Sequence, residues 1–221
     1  RWKAVADLWC AGWFDTEVRG VPRSTFAAII AGLINDALGR PGRTLNQATI
    51  EKLLQAGAHA AARERFFHWE LEFTDVFHAP DGQPLARPGF DAILGNPPWE
   101  MVRGDAGDAA ARERKADDGS RLTKFARGSG IYRLQGGGHA NLYQMFVERT
   151  LSLLRRGGRL GLILPSGFAT DHGCATLRRH VLDATSIDSF VVAENREGLF
   201  PIHRAVKFAL MTLSKPAPGA D

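Results

Sequence analysis

Apolar residues recur at helical spacing through the first third of the chain. In RWKAVADLWCAGWF, Trp2, Val5, Trp9 and Trp13 follow one another every three or four positions, which predicts an amphipathic helix with the tryptophan stripe in its core face. STFAAIIAGLINDALG reads as a second helix, with Ser24 as N-cap and Gly39 just past its end. NQATIEKLLQAGAHAAARERFF reads as a third, with Ile50, Leu53, Leu54, Ala58 and Ala61 on one face. The period then shortens to two. Trp69, Leu71 and Phe73 alternate with polar residues in HWELEFTDVF and predict a strand, and FDAILGN reads as a second, more buried one. Residues 104–121 are polar and rich in Gly, Ala, Asp and Arg; they read as a mobile loop or a marginal helix.

From Asn141 onward the order is regular. NLYQMFVERTLSLLRRGG reads as a helix capped by Asn141 and ended by Gly157 and Gly158, RLGLILP as a buried strand closed by Pro165, and CATLRRHVLD as a helix. IDSFVVAEN and AVKFALMTLS follow as strands, and KPAPGAD as a tail. Strands alternating with helices imply an α/β layer fold with a largely parallel sheet, in which ligands bind beyond the carboxyl ends of the strands.

Composition narrows this only a little. Hydrophobic residues make up 44% and charged residues 24% of the 221, as in ordinary globular domains. No apolar run is long enough to cross a bilayer, and a cytoplasmic, membrane-free protein is the expectation. Two cysteines, Cys10 and Cys174, make neither a disulfide framework nor a zinc site, and the scattered histidines have no ligand spacing, so no metal is assigned. A net charge of +4 and a pI near 9.4 are compatible with a nucleic-acid partner and equally with a mildly basic soluble protein.

The candidate chemistry sits where FDAILG stops, at Asn96, Pro97, Pro98 and Trp99. An asparagine amide offers an acceptor and a donor, and two prolines fix the backbone carbonyls while adding no competing N–H. Together they can aim two acceptors at one NH2 group, with an aromatic ring to stack on a flat heterocycle. An exocyclic amine on such a ring is a poor nucleophile. Two acceptors on its hydrogens favour a pyramidal nitrogen with a localised lone pair, so the chemistry is positioning and electrostatics rather than base catalysis. A base in a duplex reaches such a site only by flipping out of the stack. The bland alternative is a strand-ending turn with a buried tryptophan.

With these residues the chain resembles the DNA amino-methyltransferases, and among them the gamma-type N6-adenine enzymes with an Eco57I-like methylase domain, from restriction-modification and phage-defence proteins. ILGNPPWE resembles the family's catalytic motif, which implies Asn96 and the Pro97 carbonyl as acceptors for the adenine amine and Trp99 as a stacking face. NLYQMFVERTLSLLRRGGRLGLILPSGF resembles the helix and strand that follow, and implies Phe146, with Asn96, as contacts of S-adenosylmethionine. ENREGLFPIHRAVKFALMTL resembles the late motif, which implies Phe200 as the opposite wall of the base pocket, with His203, Arg204 and Lys207 as candidate DNA contacts. Simpler roles stay open: Asn141 as an N-cap, Tyr143 and Phe146 as core, Phe200 packed under the sheet.

One part of the family's pattern is missing. Neither LGRPGR nor LQGGGH follows a strand and opens a helix, so the glycine-rich turn for S-adenosylmethionine is expected upstream of Arg1. The resemblance therefore implies an internal fragment. Residues 1–66 would be a helical lead-in, 67–214 the C-terminal half of a partial Rossmann-like class I methyltransferase sheet with a mobile loop at about 103–138, and 215–221 a tail. The partners this implies are DNA, the upstream cofactor-binding half and a downstream target-recognition domain, with the fragment inactive alone. About five strands are expected, the last antiparallel. The alternatives are another amine (an RNA base, cytosine N4, a protein glutamine) or a non-catalytic binding fragment.

Overall fold

The computed structural model describes residues 1–37, 45–99, 109–136, 141–201 and 203–219, with side chains outside 109–115. Gly39, Glu100, the 103–108 part of the expected loop and 137–140 lie outside the described residues. The chain divides into two compact units, Arg1–Thr74 and Asp75–Asp221.

The first unit is helical. It holds α1 (Trp2–Phe14), α2 (Arg23–Ala37), α3 (Gln47–Glu64) and a short α4 (Trp69–Glu72). The core face of α1 is not the tryptophan stripe. Trp2 is half exposed, while Val5, Leu8 and Ala11 are buried. The reason is close packing: a Cβ on Gly57 of α3 would lie 2.8 Å from the Leu8 Cα, so only glycine lets the two helices approach there. Trp9 and Trp13 meet edge to face at the rim of this contact. The N-cap of α3 is Asn46, whose Oδ1 accepts from the Ala48 N–H at 2.8 Å. Ser24 is not a cap; α2 starts one residue before it.

The strand expected at HWELEF is a helical turn. Trp69 and Phe73, four residues apart, stack with ring centroids 5.8 Å apart, and Phe67 packs edge-on against Trp69. Contacts with α1 hold the turn: His68 Nε2 meets the buried Asp7 carboxylate at 2.8 Å, and Lys3 pairs with Glu72. The alternation of apolar residues was real, but i,i+4 ring stacking used it instead of a ladder.

The second unit is mixed α/β. After α5 (Thr74–Phe77) come β1 (Phe90–Gly95), α6 (Ala109–Gly128), α7 (Leu142–Leu153), β2 (Leu154–Pro165), α8 (Gly167–Thr170), a 3-10 turn, α9 (Ala175–Ala184), β3 (Ser186–Glu194) and β4 (Lys207–Ser214). The polar stretch read as a mobile loop or a marginal helix is helical over α6. The described strands form one four-stranded sheet in the order β1-β2-β4-β3, rather than five strands. β1 pairs with β2 in parallel, and β4 pairs antiparallel with both β2 and β3. Thus β1, β2 and β3 run one way, and the last strand runs against them, as expected; its insertion in the middle makes most pairings antiparallel.

One sheet face is packed. Tyr143, Val147 and Leu151 of α7 and Leu177 and Val181 of α9 cover Leu160, Leu162, Leu164, Met211 and Leu213. Burying each such side chain contributes about 1.5–3 kcal/mol. β1 is less buried than its apolar sequence suggests, because among the described strands it has a neighbour on one side only: Leu94 is 85% exposed. Helix α7 passes into β2 without a loop. Lys215 closes the junction, donating from Nζ to the Leu154 and Leu151 carbonyls at 2.9 and 3.2 Å, where the positive charge complements the helix C-terminus. Gly157 lies inside β2 rather than ending α7.

Candidate functional site

The site lies at one end of the sheet. β1, β2 and β3 all finish there, and β4 begins there. Asn96, Pro97, Pro98 and Trp99 follow β1 directly, because no proline can extend the ladder. Pro97 is buried, and Asn96 and Pro98 are exposed. The Trp99 ring is anchored at its edge: Nε1–H donates to the Ile163 carbonyl of β2 at 3.2 Å.

Three rings meet at this end. Trp99 and Phe200 have centroids 5.5 Å apart at 57°, and Phe200 and Phe208 lie 5.0 Å apart, edge to face. Phe208 also stacks on Trp99 with an offset, at 6.4 Å and 27°. Such pairs contribute about 0.5–1.5 kcal/mol each beyond their area. The structure therefore brings together Trp99 and Phe200, two residues singled out in the sequence from opposite ends of the unit. It adds Phe208, a residue of the strand AVKFALMTLS that nothing in the sequence singles out.

The loop that carries Phe200 is tied down by Asn195, which is wholly buried. Its Oδ1 accepts from the Phe200 N–H at 2.9 Å, and its Nδ2 donates to the Phe200 carbonyl at 3.1 Å. Its main chain bonds on both sides as well, to the Val206 carbonyl at 3.1 Å and from the Gly198 N–H at 3.0 Å. The sequence reading treated this asparagine as the last letter of a strand; a polar residue placed straight after an apolar strand and before a glycine turn was the available signal.

The basic candidates are at the same end. Arg204 and His203 are exposed. His203 Nδ1 accepts from the Ala205 N–H at 3.2 Å, which leaves Nε2 as the protonated nitrogen of the neutral ring. Lys207 pairs with Glu194 at 3.2 Å, and Arg196 pairs with the same carboxylate.

Phe146 is on α7 and is 46% exposed, so it is no core residue; among the described residues it shares no ring contact with the other three. Tyr143, by contrast, is buried, with its hydroxyl 2.9 Å from the Cys174 Sγ. Burial, reinforced by that contact, pushes the Tyr143 phenol above its ordinary range, so it stays neutral. Asn141 occupies the N-cap position of α7 but makes no side-chain cap bond, and its buried Oδ1 has no hydrogen-bond partner among the described residues. Among the described residues no cluster of His, Cys, Asp or Glu could hold a metal, and no helix is long and apolar enough to cross a membrane.

Residues 31–200, most of the chain, match the model of a family described as Eco57I restriction-modification methylase. The chain belongs to this family. The match runs from α2 to Phe200 and includes Asn96–Trp99 and Asn195. A curated relative is the Bacillus subtilis Type II methyltransferase M.BsuBI, 29% identical over 109 residues, which are 49% of this chain and 18% of the relative. The chain thus aligns with less than a fifth of that protein's length. Solved structures with some likeness include a Listeria monocytogenes protein described as a class I S-adenosylmethionine-dependent methyltransferase, 18% identical, covering 76% of this chain and 43% of that one, with a TM-score of 0.40. Another is a modification subunit of a type I restriction enzyme from Vibrio vulnificus, 17% identical, covering 58% and 24%, with a TM-score of 0.37. At these scores, family membership rests on the sequence match.

Proposed function

We propose that this chain carries the target-base side of a site that methylates the N6 amine of adenine in DNA, within a larger restriction-modification or defence protein. The observation that carries the reading is the aromatic pair Trp99 and Phe200, held 5.5 Å apart beside the exposed Asn96 at the carboxyl end of β1. Family membership supports it.

In this reading the flipped adenine lies against the Trp99–Phe200 pair. The Asn96 side-chain oxygen and the Pro97 carbonyl accept the two hydrogens of its amine. The two prolines restrict the backbone that carries the Pro97 carbonyl before the base arrives, which limits the reorganisation needed at the moment of reaction. With its hydrogens held, the nitrogen turns its lone pair out of the ring plane and becomes nucleophilic. Asn96 is no base at neutral pH, so the extra proton leaves to water afterwards. His203 and Arg204, both exposed at this end, are suited to phosphate.

S-adenosylmethionine, when bound, supplies an electrophilic methyl. The residues present fit one side of it: Phe146 is a large apolar ring left at the surface of α7, suited to a flat adenine, and Asn96 faces solvent at the strand end. The remaining contacts, the upstream half and a target-recognition domain are assigned in this reading to other parts of the polypeptide, with residues 1–66 as helical lead-in and 67–214 as catalytic half.

The test is product chemistry. The protein that carries this chain is incubated with S-adenosylmethionine and DNA, the DNA is digested, and the nucleosides are weighed by mass spectrometry. N6-methyladenine is expected; methylation confined to cytosine N4, RNA or a protein amide, or no transfer at all, refutes the adenine reading.

A further inference from the structure

The base slot of this reading depends on a loop, and loops need a reason to be rigid. Phe200 is held by neither a helix nor a ladder: β3 ends at Glu194 and β4 starts at Lys207. Among the described residues, one side chain ties down its main chain. Asn195 has no exposed surface, and its amide bonds to both main-chain groups of Phe200, accepting at 2.9 Å and donating at 3.1 Å. Its own main chain spans the loop's two ends, through the Gly198 N–H and the Val206 carbonyl. This is a strand-like pairing made by a side chain, and only a carboxamide presents donor and acceptor side by side in that way. Val206 leads directly into Phe208, the ring that backs both Phe200 and Trp99.

We propose that Asn195 is the positioning residue of the target-base slot. It touches no base itself. It sets the Phe200 backbone, and through it the angle and distance at which the Phe200 ring packs on Trp99, so that the two-ring surface the base lies against is formed before DNA arrives. The proposal rests on the reading of the Trp99–Phe200 pair as a base slot. Asn195→Ala removes both bonds. Asn195→Asp keeps the shape and the acceptor, but sets a second oxygen against the Phe200 carbonyl in a buried place. Either change should free the Phe200 ring while leaving Asn96, Pro97 and Phe146 where they are.

Two measurements on the protein that carries this chain test this. The first needs no substrate. The indole N–H of Trp99, one of five tryptophans, is assigned by its loss in Trp99→Phe. In Asn195→Ala and Asn195→Asp its resonance should shift and its cross-relaxation to the Phe200 ring should vanish, while the other indole resonances stay in place. The second is kinetic. Asn195→Ala should lower kcat for adenine methylation about a hundredfold, the usual scale for a displacement of around 1 Å, with KM for S-adenosylmethionine unchanged. The double variant with Phe200→Ala should be no slower than Phe200→Ala alone, because Asn195 acts only through that ring.

An unmoved Trp99 resonance overturns the proposal. So do defects that multiply in the double variant, or a kcat that survives loss of the ring contact. If Asn195→Ala does not fold, Asn195→Asp carries both measurements. A wild-type protein that methylates no adenine refutes the functional reading instead, since the resonance reports the anchoring without substrate.

Discussion

Glu148 is a buried carboxylate on α7, 7% exposed, and it holds a whole segment. Its Oε1 accepts from the backbone N–H groups of Arg133 and of Leu134, the latter at 3.0 Å, and its Oε2 accepts from Gln135 Nε2 at 2.7 Å. Replacing it with alanine removes three charge-assisted bonds and leaves two backbone donors without an acceptor. A bond to a charged group is worth about 1.5–3 kcal/mol, and an unsatisfied buried donor costs about 1–3 kcal/mol. The loss cannot exceed the free energy of releasing residues 129–136 to water, where those donors are solvated again. An overall loss of about 3–5 kcal/mol is therefore expected for Glu148→Ala. Glu148→Gln should cost about 1 kcal/mol, because the amide oxygen can still accept from both N–H groups and Gln135 can turn its own oxygen toward the new NH2. Urea unfolding gives the totals. Hydrogen exchange at the Arg133 and Leu134 amides localises them: protection should fall by orders of magnitude in the alanine variant and little in the glutamine variant. Equal stabilities for wild type and Glu148→Ala, with unchanged exchange at those amides, refute the reasoning.

Gly57→Ala should destabilise the helical unit by about 1 kcal/mol in thermal unfolding. The helix-propensity gain of alanine, about 1 kcal/mol, is outweighed because the new Cβ meets backbone atoms of Leu8 at 2.8 and 2.9 Å, and overpacking of this kind costs about 1–3 kcal/mol; a variant as stable as wild type sinks the close-packing argument. Neither cysteine should react with a disulfide reagent in the native protein at mildly alkaline pH, and both should react once it is unfolded. Burial pushes the Cys10 thiol up to about 11, with Asp7 adding to it, which leaves about a thousandth as thiolate near pH ~8; burial also raises Cys174, which has no exposed surface. Reactivity of Cys10 should therefore rise as pH approaches its raised pKa, and fast labelling near neutrality contradicts the packing around α1.

Much of the site was legible in the sequence because its rules are local. Two prolines after an apolar run must end a strand, and the run does end at Gly95. AVKFALMTLS read as a strand, and β4 occupies it. What stayed hidden depends on distant neighbours. Phe208 reads as an ordinary core residue until β4 is seen to begin beside Trp99. Asn195 shows its use only when Phe200 folds back onto it. Trp69, Leu71 and Phe73 alternate like a strand and space like a helix; the Lys3–Glu72 ion pair and the Asp7–His68 contact tie the turn to α1, and their partners come from more than sixty residues away in Lys3 and Asp7. The tryptophan stripe of α1 misled for a similar reason, since it took Gly57 on another helix to favour the small Ala11 and Leu8 face.

The most direct test of the central claim is Asn96→Ala in the protein that carries this chain, assayed for methyl transfer to adenine and, separately, for S-adenosylmethionine binding by calorimetry. The account predicts that transfer disappears while cofactor affinity falls far less, because this asparagine holds the amine in place for reaction and is one of several cofactor contacts. Methylation at the wild-type rate in Asn96→Ala would contradict it.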